Sequence, residues 1–284
     1  MVQIIRDVKS LREAVAALRR AGGPHGGRVA LVPTMGALHA GHMALVKAAG
    51  GLADHVVTSI FVNPTQFGPN EDLSRYPRQE AADVALLEAE GCAIVWAPDA
   101  AAMYPDGHDT MIRVGKLATR WDGAARPGHF DGVATVVTKL FNQVQPDIAL
   151  FGEKDWQQLA VIRRTVADLD MTIEIAGVPT ERADDGLALS SRNAYLSAEE
   201  RAAAPELHRA MQAAADAIRL GGNVPGALAA AEARIIAAGF GPVDYLALVD
   251  AETLEPMTSF SAPARMIAAA KLGTTRLIDN IAVE

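Results

Sequence analysis

The chain has one cysteine, Cys92, in 284 residues. A single thiol excludes an internal disulfide framework and any cysteine-rich zinc site. Its place beside the apolar run 93–97 predicts a core residue instead. No apolar stretch approaches the ~18 residues that a membrane-crossing helix requires. The apolar N-terminal residues are interrupted by Arg6, Asp7, Lys9, Arg12 and Glu13, so no secretory leader is expected and the cytoplasm is the expected location. Basic residues are in deficit: 26 Lys and Arg stand against 34 Asp and Glu, a formal charge of −8. That balance argues against a nucleic-acid partner and leaves only a local basic pocket. The sequence carries no GxxxxGK[ST] phosphate loop, no GxGxxG after a strand, no HExxH zinc helix and no GxSxG nucleophile elbow. Half of the residues are apolar, enough for one large domain or two smaller ones.

The chain is organised around residues 29–43. Residues 29–32 are an apolar run of strand length, Pro33, Thr34 and Gly36 break it, and helical spacing begins near Met43. Strand, tight loop and helix open a nucleotide-binding α/β domain, and free N–H groups at the helix start suit phosphate. His39 and His42 lie three apart, which puts them on one face once helical. The helix dipole is expected to keep both rings neutral, each able to donate one N–H to a phosphoryl group. Gly41, without a Cβ, lets a phosphate or ribose approach the backbone.

A helix is expected over 8–20, a second strand over 55–62, an acidic helix over 78–90 and a third strand over 93–97. The turn 126–130 leads into a helix that Pro146 stops, and strand 148–151 then runs into Gly152-Glu-Lys-Asp155 and a helix over 156–169. This second strand–loop–helix unit leaves Lys154 as either a phosphate contact or a solvated lysine, and Asp155 as either a helix cap or a ligand contact. Gln66 follows the second strand, as a solvated loop amide or one offered to a substrate. A fifth strand covers 173–178, and the domain boundary falls at 179/180. Ser190, Ser191 and Arg192 are either a polar turn or a phosphate clamp. Ser197 and Glu200 form a capping box that starts one helix to about 220, followed by a helix to 238 and three extended runs over 243–249, 265–270 and 276–281. The expected fold is a Rossmann-like parallel α/β domain over 1–179 and a smaller α+β domain over 180–284.

Six segments, in order and over essentially the whole chain, resemble the pantoate–β-alanine ligases. They are Pro33-Thr-Met-Gly-Ala-Leu-His-Ala-Gly-His42, Phe61-Val-Asn-Pro-Thr-Gln-Phe67, Arg126-Pro-Gly-His-Phe130, Phe151-Gly-Glu-Lys-Asp155, Leu189-Ser-Ser-Arg-Asn193 and Leu277-Ile-Asp-Asn280. That family belongs to the nucleotidyltransferases, which share H-x-G-H with class I aminoacyl-tRNA synthetases. The resemblance implies an ATP-dependent ligase that forms pantoyl adenylate and then pantothenate, releasing pyrophosphate and AMP. It implies His42, His39 and Lys154 as catalytic residues. It implies ATP contacts from Met35, Gly36, His39, Gly41, His42, Gly152, Glu153, Lys154, Asp155, Leu189, Ser190, Ser191 and Arg192. Gln66 and Gln158 would hold pantoate, with Gln66 also at the β-alanine site. Magnesium would accompany ATP. Asp83 is the acidic position singled out for a metal, although Ala82 stands where some relatives carry a second acidic residue. Thr65 replaces a common methionine, expected as a packing change, and a homodimer is implied. A different nucleotidyltransferase and a non-catalytic nucleotide sensor are the competing readings.

Overall fold

The computed structural model describes residues 1–23, 26–68, 71 and 73–284. Among them, six strands form one parallel sheet: β1 (Gln3–Ile5), β2 (Val29–Thr34), β3 (His55–Ile60), β4 (Ile94–Trp96), β5 (Ile148–Gly152) and β6 (Glu174–Val178). Their spatial order is β1-β4-β3-β2-β5-β6. The chain builds outward from β2 in one direction through β3 and β4, then returns to add β5 and β6 on the other side. The crevice between the diverging connections at the carboxyl ends of β2 and β5 is where such sheets bind ligands.

The continuous apolar character of β2 and β5 reflects burial on both faces. Val29, Leu31, Ala149 and Phe151 join the core on one face, against α1 (Val8–Ala21), α6 (His129–Val144) and α7 (Trp156–Asp168). Ala30, Val32, Ile148 and Leu150 face the other core, under α2 (Ala40–Gly50) and α3 (Glu80–Ala89). Cys92 is buried in that second core, its thiol donating to the Val56 carbonyl, and burial pushes its pKa up. Residues 112 and 114 belong to no strand ladder. Their N–H groups donate to Thr135 Oγ1 (2.9 Å) and Asp131 Oδ1 (2.8 Å) of α6.

The C-terminal part stacks helices on an antiparallel sheet of β7 (Phe240–Asp250), β8 (Ala264–Leu272) and β9 (Thr275–Val283), in that order. The single long helix expected from residue 197 is two: α8 (Ala198–Ala203), with the Ser197/Glu200 capping box, and α9 (Glu206–Arg219). Pro205 separates them, because a proline inside a helix removes one N–H and clashes with the preceding turn. Helix α10 (Val224–Ala237) follows. β1 and two one-turn helices, α4 (Ala100–Met103) and α5 (Asp122–Ala125), were outside the sequence expectations. No helix among the described residues is long and apolar enough to cross a membrane.

Two tryptophans tie the parts together: Trp156 Nε1 donates to the Ala251 carbonyl and Trp121 Nε1 to that of Leu254, each at 3.0 Å. The Arg265 guanidinium lies 3.4 Å from the Trp156 ring centre. Asn280 of β9 donates to the carbonyls of Glu153 (2.9 Å) and Lys154 (2.8 Å), anchoring the turn after β5 to the C-terminal sheet.

Helix α6 meets the turn after β3 at a backbone-to-backbone contact. A Cβ on Gly132 would lie 2.3 Å from the Thr65 carbonyl oxygen, and Asn63 Nδ2 donates to the Gly132 carbonyl at 3.2 Å. Gly132→Ala is expected to cost about 1–3 kcal/mol through overpacking, read as a lowered urea midpoint. A variant as stable as the parent would show that this approach tolerates a methyl group.

Candidate active site

Helix α2 begins in the crevice, and its first N–H groups need acceptors from outside the helix. His39 stands at the N-cap in extended conformation, and its Nδ1 accepts from the Gly41 N–H at 3.2 Å. His42 Nδ1 accepts from the His39 N–H at 3.3 Å. With both Nδ1 atoms accepting, each neutral ring carries its proton on Nε2. The two rings lie side by side with centroids 4.1 Å apart. The expectation of two neutral donors holds, although His39 caps the helix instead of lying on its face. The cause also differs from a helix dipole. Burial comes first, lowering the pKa of His39 and taking that of His42 to about 3, and the Lys154 charge adds to both. Gly41 serves the cap: a Cβ there would sit 3.0 Å from His39 Cε1.

The loop before the cap is held from beneath by Asp83. Its carboxylate is 1% exposed and accepts from the N–H groups of Ala37 (2.9 Å) and Leu38 (2.8 Å). Both oxygens are spent on the backbone and Asp83 does not line the cavity, so the structure opposes its assignment as a metal ligand. Gly36, at φ +78°, belongs to the same brace; a Cβ would meet Asp83 Oδ2 at 3.0 Å. It too is absent from the cavity wall, whereas Met35 lines it.

Across the crevice, Gly152 ends β5 and Lys154 and Asp155 line the cavity. Asp155 occupies the N-cap position of α7 but its side chain makes no cap bond, which removes capping as its role. Glu153 does not line the cavity. Its carboxylate pairs with Arg265 at 3.0 Å, because the turn directs it towards the C-terminal sheet. Two adjacent glutamines diverge: Gln157 donates to the carbonyls of Leu117 and Arg120, while Gln158 faces the cavity.

The floor is apolar, from Phe61, Val133, Val136, Val137 and Leu140, and it holds Gln66, which is buried and not solvated. Asn63 fixes the orientation of that amide. Asn63 Oδ1 accepts from the Thr65 N–H (3.3 Å) and the Tyr104 hydroxyl (2.8 Å), so Nδ2 must be the end that donates to Gln66 Oε1 (2.9 Å). Gln66 Nε2 is then its remaining polar atom. Thr65 does more than pack, since its hydroxyl donates to Asn63 Oδ1 at 3.0 Å. Leu189, Ser190, Ser191 and Arg192 close the cavity from the C-terminal side, with Ser191 Oγ 3.4 Å from the Tyr76 hydroxyl. The enclosed volume is about 220 Å³. It opens past Lys154, Asp155, Gln158, Ser190 and Arg192 into an outer cleft of about 660 Å³ between the two parts.

Sequence reasoning missed Asn63, Tyr104, Arg126 and His129. The first and last two lie inside quoted motifs, but only contact geometry reveals their partners.

His42 is expected to stay untitrated between pH 5 and 8, checked by following its ring protons by NMR. The native ring takes a proton only near pH 3, against 6.5 for the unperturbed group. The unfolded chain therefore binds more protons in that window, so stability is full above pH 6.5 and declines as pH falls towards 3. A His42 midpoint near 6.5 in the folded protein would contradict the burial argument.

Known proteins match this architecture throughout. The family model described as Pantoate-beta-alanine ligase matches residues 3–282. A pantothenate synthetase of Rhizorhabdus wittichii is 66% identical over 283 residues, covering 100% of this chain and 99% of its own. One from Sphingopyxis alaskensis is 61% identical, covering 99% of this chain and 100% of its own. The crystal structure of pantothenate synthetase from Thermus thermophilus superposes with a TM-score of 0.92 at 50% identity, covering 99% of both chains. The ligase of Francisella tularensis, solved with Beta-gamma ATP and Beta-alanine, superposes at 0.82 and 32% identity, covering 99% of this chain and 98% of its own. The chain belongs to the pantoate–β-alanine ligase family.

Proposed function

We propose that the crevice condenses pantoate with β-alanine at the expense of ATP, and that paired Nε2–H imidazoles beside Lys154 carry the chemistry. In the first step a pantoate carboxylate oxygen attacks the α-phosphorus of ATP. The bond to the bridging oxygen breaks, and pyrophosphate leaves with its electron pair. Negative charge grows on the phosphoryl oxygens, where fixed donors lower the barrier most. A ring with a pKa of about 3 is a poor proton store at neutral pH, so His42 acts as a neutral N–H donor, not as an acid. His39 offers a second donor and Lys154 a full charge.

In the second step the β-alanine amine attacks the acyl carbon, a C–N bond forms, AMP departs with the electrons of the acyl–oxygen bond, and the nitrogen gives up one proton to water. The carboxylate needs only orientation in the first step. Gln66 and Gln158 supply that through neutral amides, which do not depress its nucleophilicity as an ion pair would. The apolar floor takes the branched carbon skeleton, and the same Gln66 stands next to the incoming β-alanine. Gly152 and Asp155 lie on the ribose side, with Met35, Gly41 and Leu189 along the nucleotide. Ser190, Ser191 and Arg192 receive the outer phosphates, carried by a C-terminal domain that starts at residue 180. Closing that domain would exclude water from the adenylate.

Magnesium enters with ATP, bound by phosphate oxygens and water. Among the described residues no group of three or more His, Cys, Asp or Glu is arranged to hold a metal. The same reading puts the enzyme in the cytoplasm as a homodimer.

Pyrophosphate and AMP release, assayed separately, test the order of steps. Pantoate and ATP should release pyrophosphate on mixing, with free AMP only after β-alanine is added. Pyrophosphate release that ignores pantoate would sink the proposal. His42→Ala should slow adenylation by roughly 100-fold or more while the fold survives, and near-normal turnover would remove His42 from the mechanism. Gln66→Ala should raise the pantoate KM much more than the ATP KM; equal effects would contradict its role.

A further inference from the structure

The motif Arg126-Pro-Gly-His-Phe130 has no part in the steps above, yet its two polar side chains line the outer cleft beside Lys154 and Gln158. Arg126 is held on two sides by groups that do not carry charge. One Nη1–H points to His129 Nε2 at 2.9 Å, and one Nη2–H to the Gln66 carbonyl at 3.2 Å. An arginine only donates, so His129 Nε2 accepts and its proton sits on Nδ1, which donates to the same Gln66 carbonyl at 2.8 Å. Burial and the Arg126 charge lower the His129 pKa to about 4, in keeping with a neutral ring. The guanidinium is thus fixed by the protein before any anion reaches it.

Its remaining edge, Nε and Nη2, has the fork geometry that matches a carboxylate. In this structure Glu71 fills it, with Oε1 at 2.8 Å from Nε and Oε2 at 2.7 Å from Nη2. Both partners are mostly buried, 18% and 25% exposed. The orientation of Arg126 does not depend on Glu71, because His129 and the Gln66 backbone hold the other edges. What Glu71 contributes is a carboxylate in a carboxylate seat, on a guanidinium that also holds the Gln66 backbone.

We propose that the Nε/Nη2 edge of Arg126 receives the carboxylate of the amino-acid substrate, and that Glu71 is a built-in competitor that the substrate displaces. This rests on the ligase reading. It adds a selection rule: the second step favours an amine that carries a carboxylate, and a simple alkylamine lacks the group that evicts Glu71. While the seat is filled by Glu71, the charge of Arg126 is balanced inside the cleft. The substrate exchanges one carboxylate for another, and no buried guanidinium is left unpaired.

The test compares the wild type, Glu71→Ala and Arg126→Lys, all as the full chain. The readouts are pantoate-dependent pyrophosphate release and the KM for β-alanine, with propylamine as the carboxylate-free amine. Glu71→Ala is expected to lower the β-alanine KM several-fold, because the competitor is gone. Arg126→Lys keeps the charge but loses the fork. It should raise the β-alanine KM on the order of tenfold, with a much smaller change in the pantoate KM, and should narrow the preference for β-alanine over propylamine. An unchanged β-alanine KM in Glu71→Ala overturns the competitor. Parallel losses for pantoate and β-alanine in Arg126→Lys, or an unaltered amine preference, overturn the seat and leave Arg126 as a structural brace. Failure of the wild type to release pyrophosphate with pantoate would instead defeat the ligase reading, which this comparison keeps separate.

Discussion

The start of α2 has backbone N–H groups that the helix cannot satisfy, and the site follows from how the chain satisfies them. Serine, threonine, aspartate and asparagine are the usual caps, and they have little left to offer once the cap is made. Two histidines close the box here, with Nδ1 of each accepting from the backbone. A ring is long enough to accept at one nitrogen and donate from the other, so the cap that starts the helix also aims two Nε2–H groups outward. Gly41 makes room for the His39 ring, and Asp83 takes the next two N–H groups of the loop. In the proposed mechanism, folding and catalysis therefore share the same hydrogen bonds.

Sheet topology decides what faces those donors. Because β5 returns to the side of β2 opposite β3, the turn 153–155 lies across the crevice from the histidine cap. The C-terminal sheet is bonded to that same turn through Asn280 and Arg265. The phosphate-side lysine is thus set by both parts of the chain, while Ser190 to Arg192 close over it from the second. Burial near Lys154 keeps the imidazoles uncharged, and this matters for the reaction. A protonated His42 beside Lys154 would face like-charge repulsion as well as desolvation, so the neutral donor is the form that the geometry maintains.

Much of this was legible in the sequence because periodicity and punctuation report backbone burial directly. The apolar runs at 29–32 and 148–151 read as strands, and the structure adds that their residues alternate between two cores. H-x-G-H after the first run marked the donors. The failures have a common cause. Glu153 lies in a quoted motif and Asp83 outside all of them, but for both, whether the side chain points into the crevice or away from it depends on partners distant in sequence. Arg265 draws Glu153 away, and the loop amides draw Asp83 inward. β1 escaped notice because three residues are too few for a period: only Ile5 is buried, and pairing with β4 defines the strand. Pro205 was present in the sequence, but the helical pattern on both sides masked its break.

The inner cavity joins an apolar floor, with the amides of Gln66 and Gln158, to a charged mouth formed by Lys154, Asp155 and Arg192. In the ligase reading, a carboxylate on that floor is oriented without being tightly paired. Strong pairing would stabilise the ground state and be lost as the oxygen becomes covalently bound to phosphorus, which raises the barrier. In the proposed mechanism, charge is instead concentrated where negative charge increases along the reaction, on Lys154 and the Ser190–Arg192 segment. The outer cleft pairs two of its cations with acidic residues, Arg126 with Glu71 and Arg276 with Asp122 and Asp244. Under the exchange proposed at Arg126, that arrangement would let a charged second substrate enter without leaving a cation unpaired. On that reading the sequence of events follows from placement: the nucleophile that must not be ion-paired lies inside, and the substrate whose anion is only a handle meets its cation near the entrance.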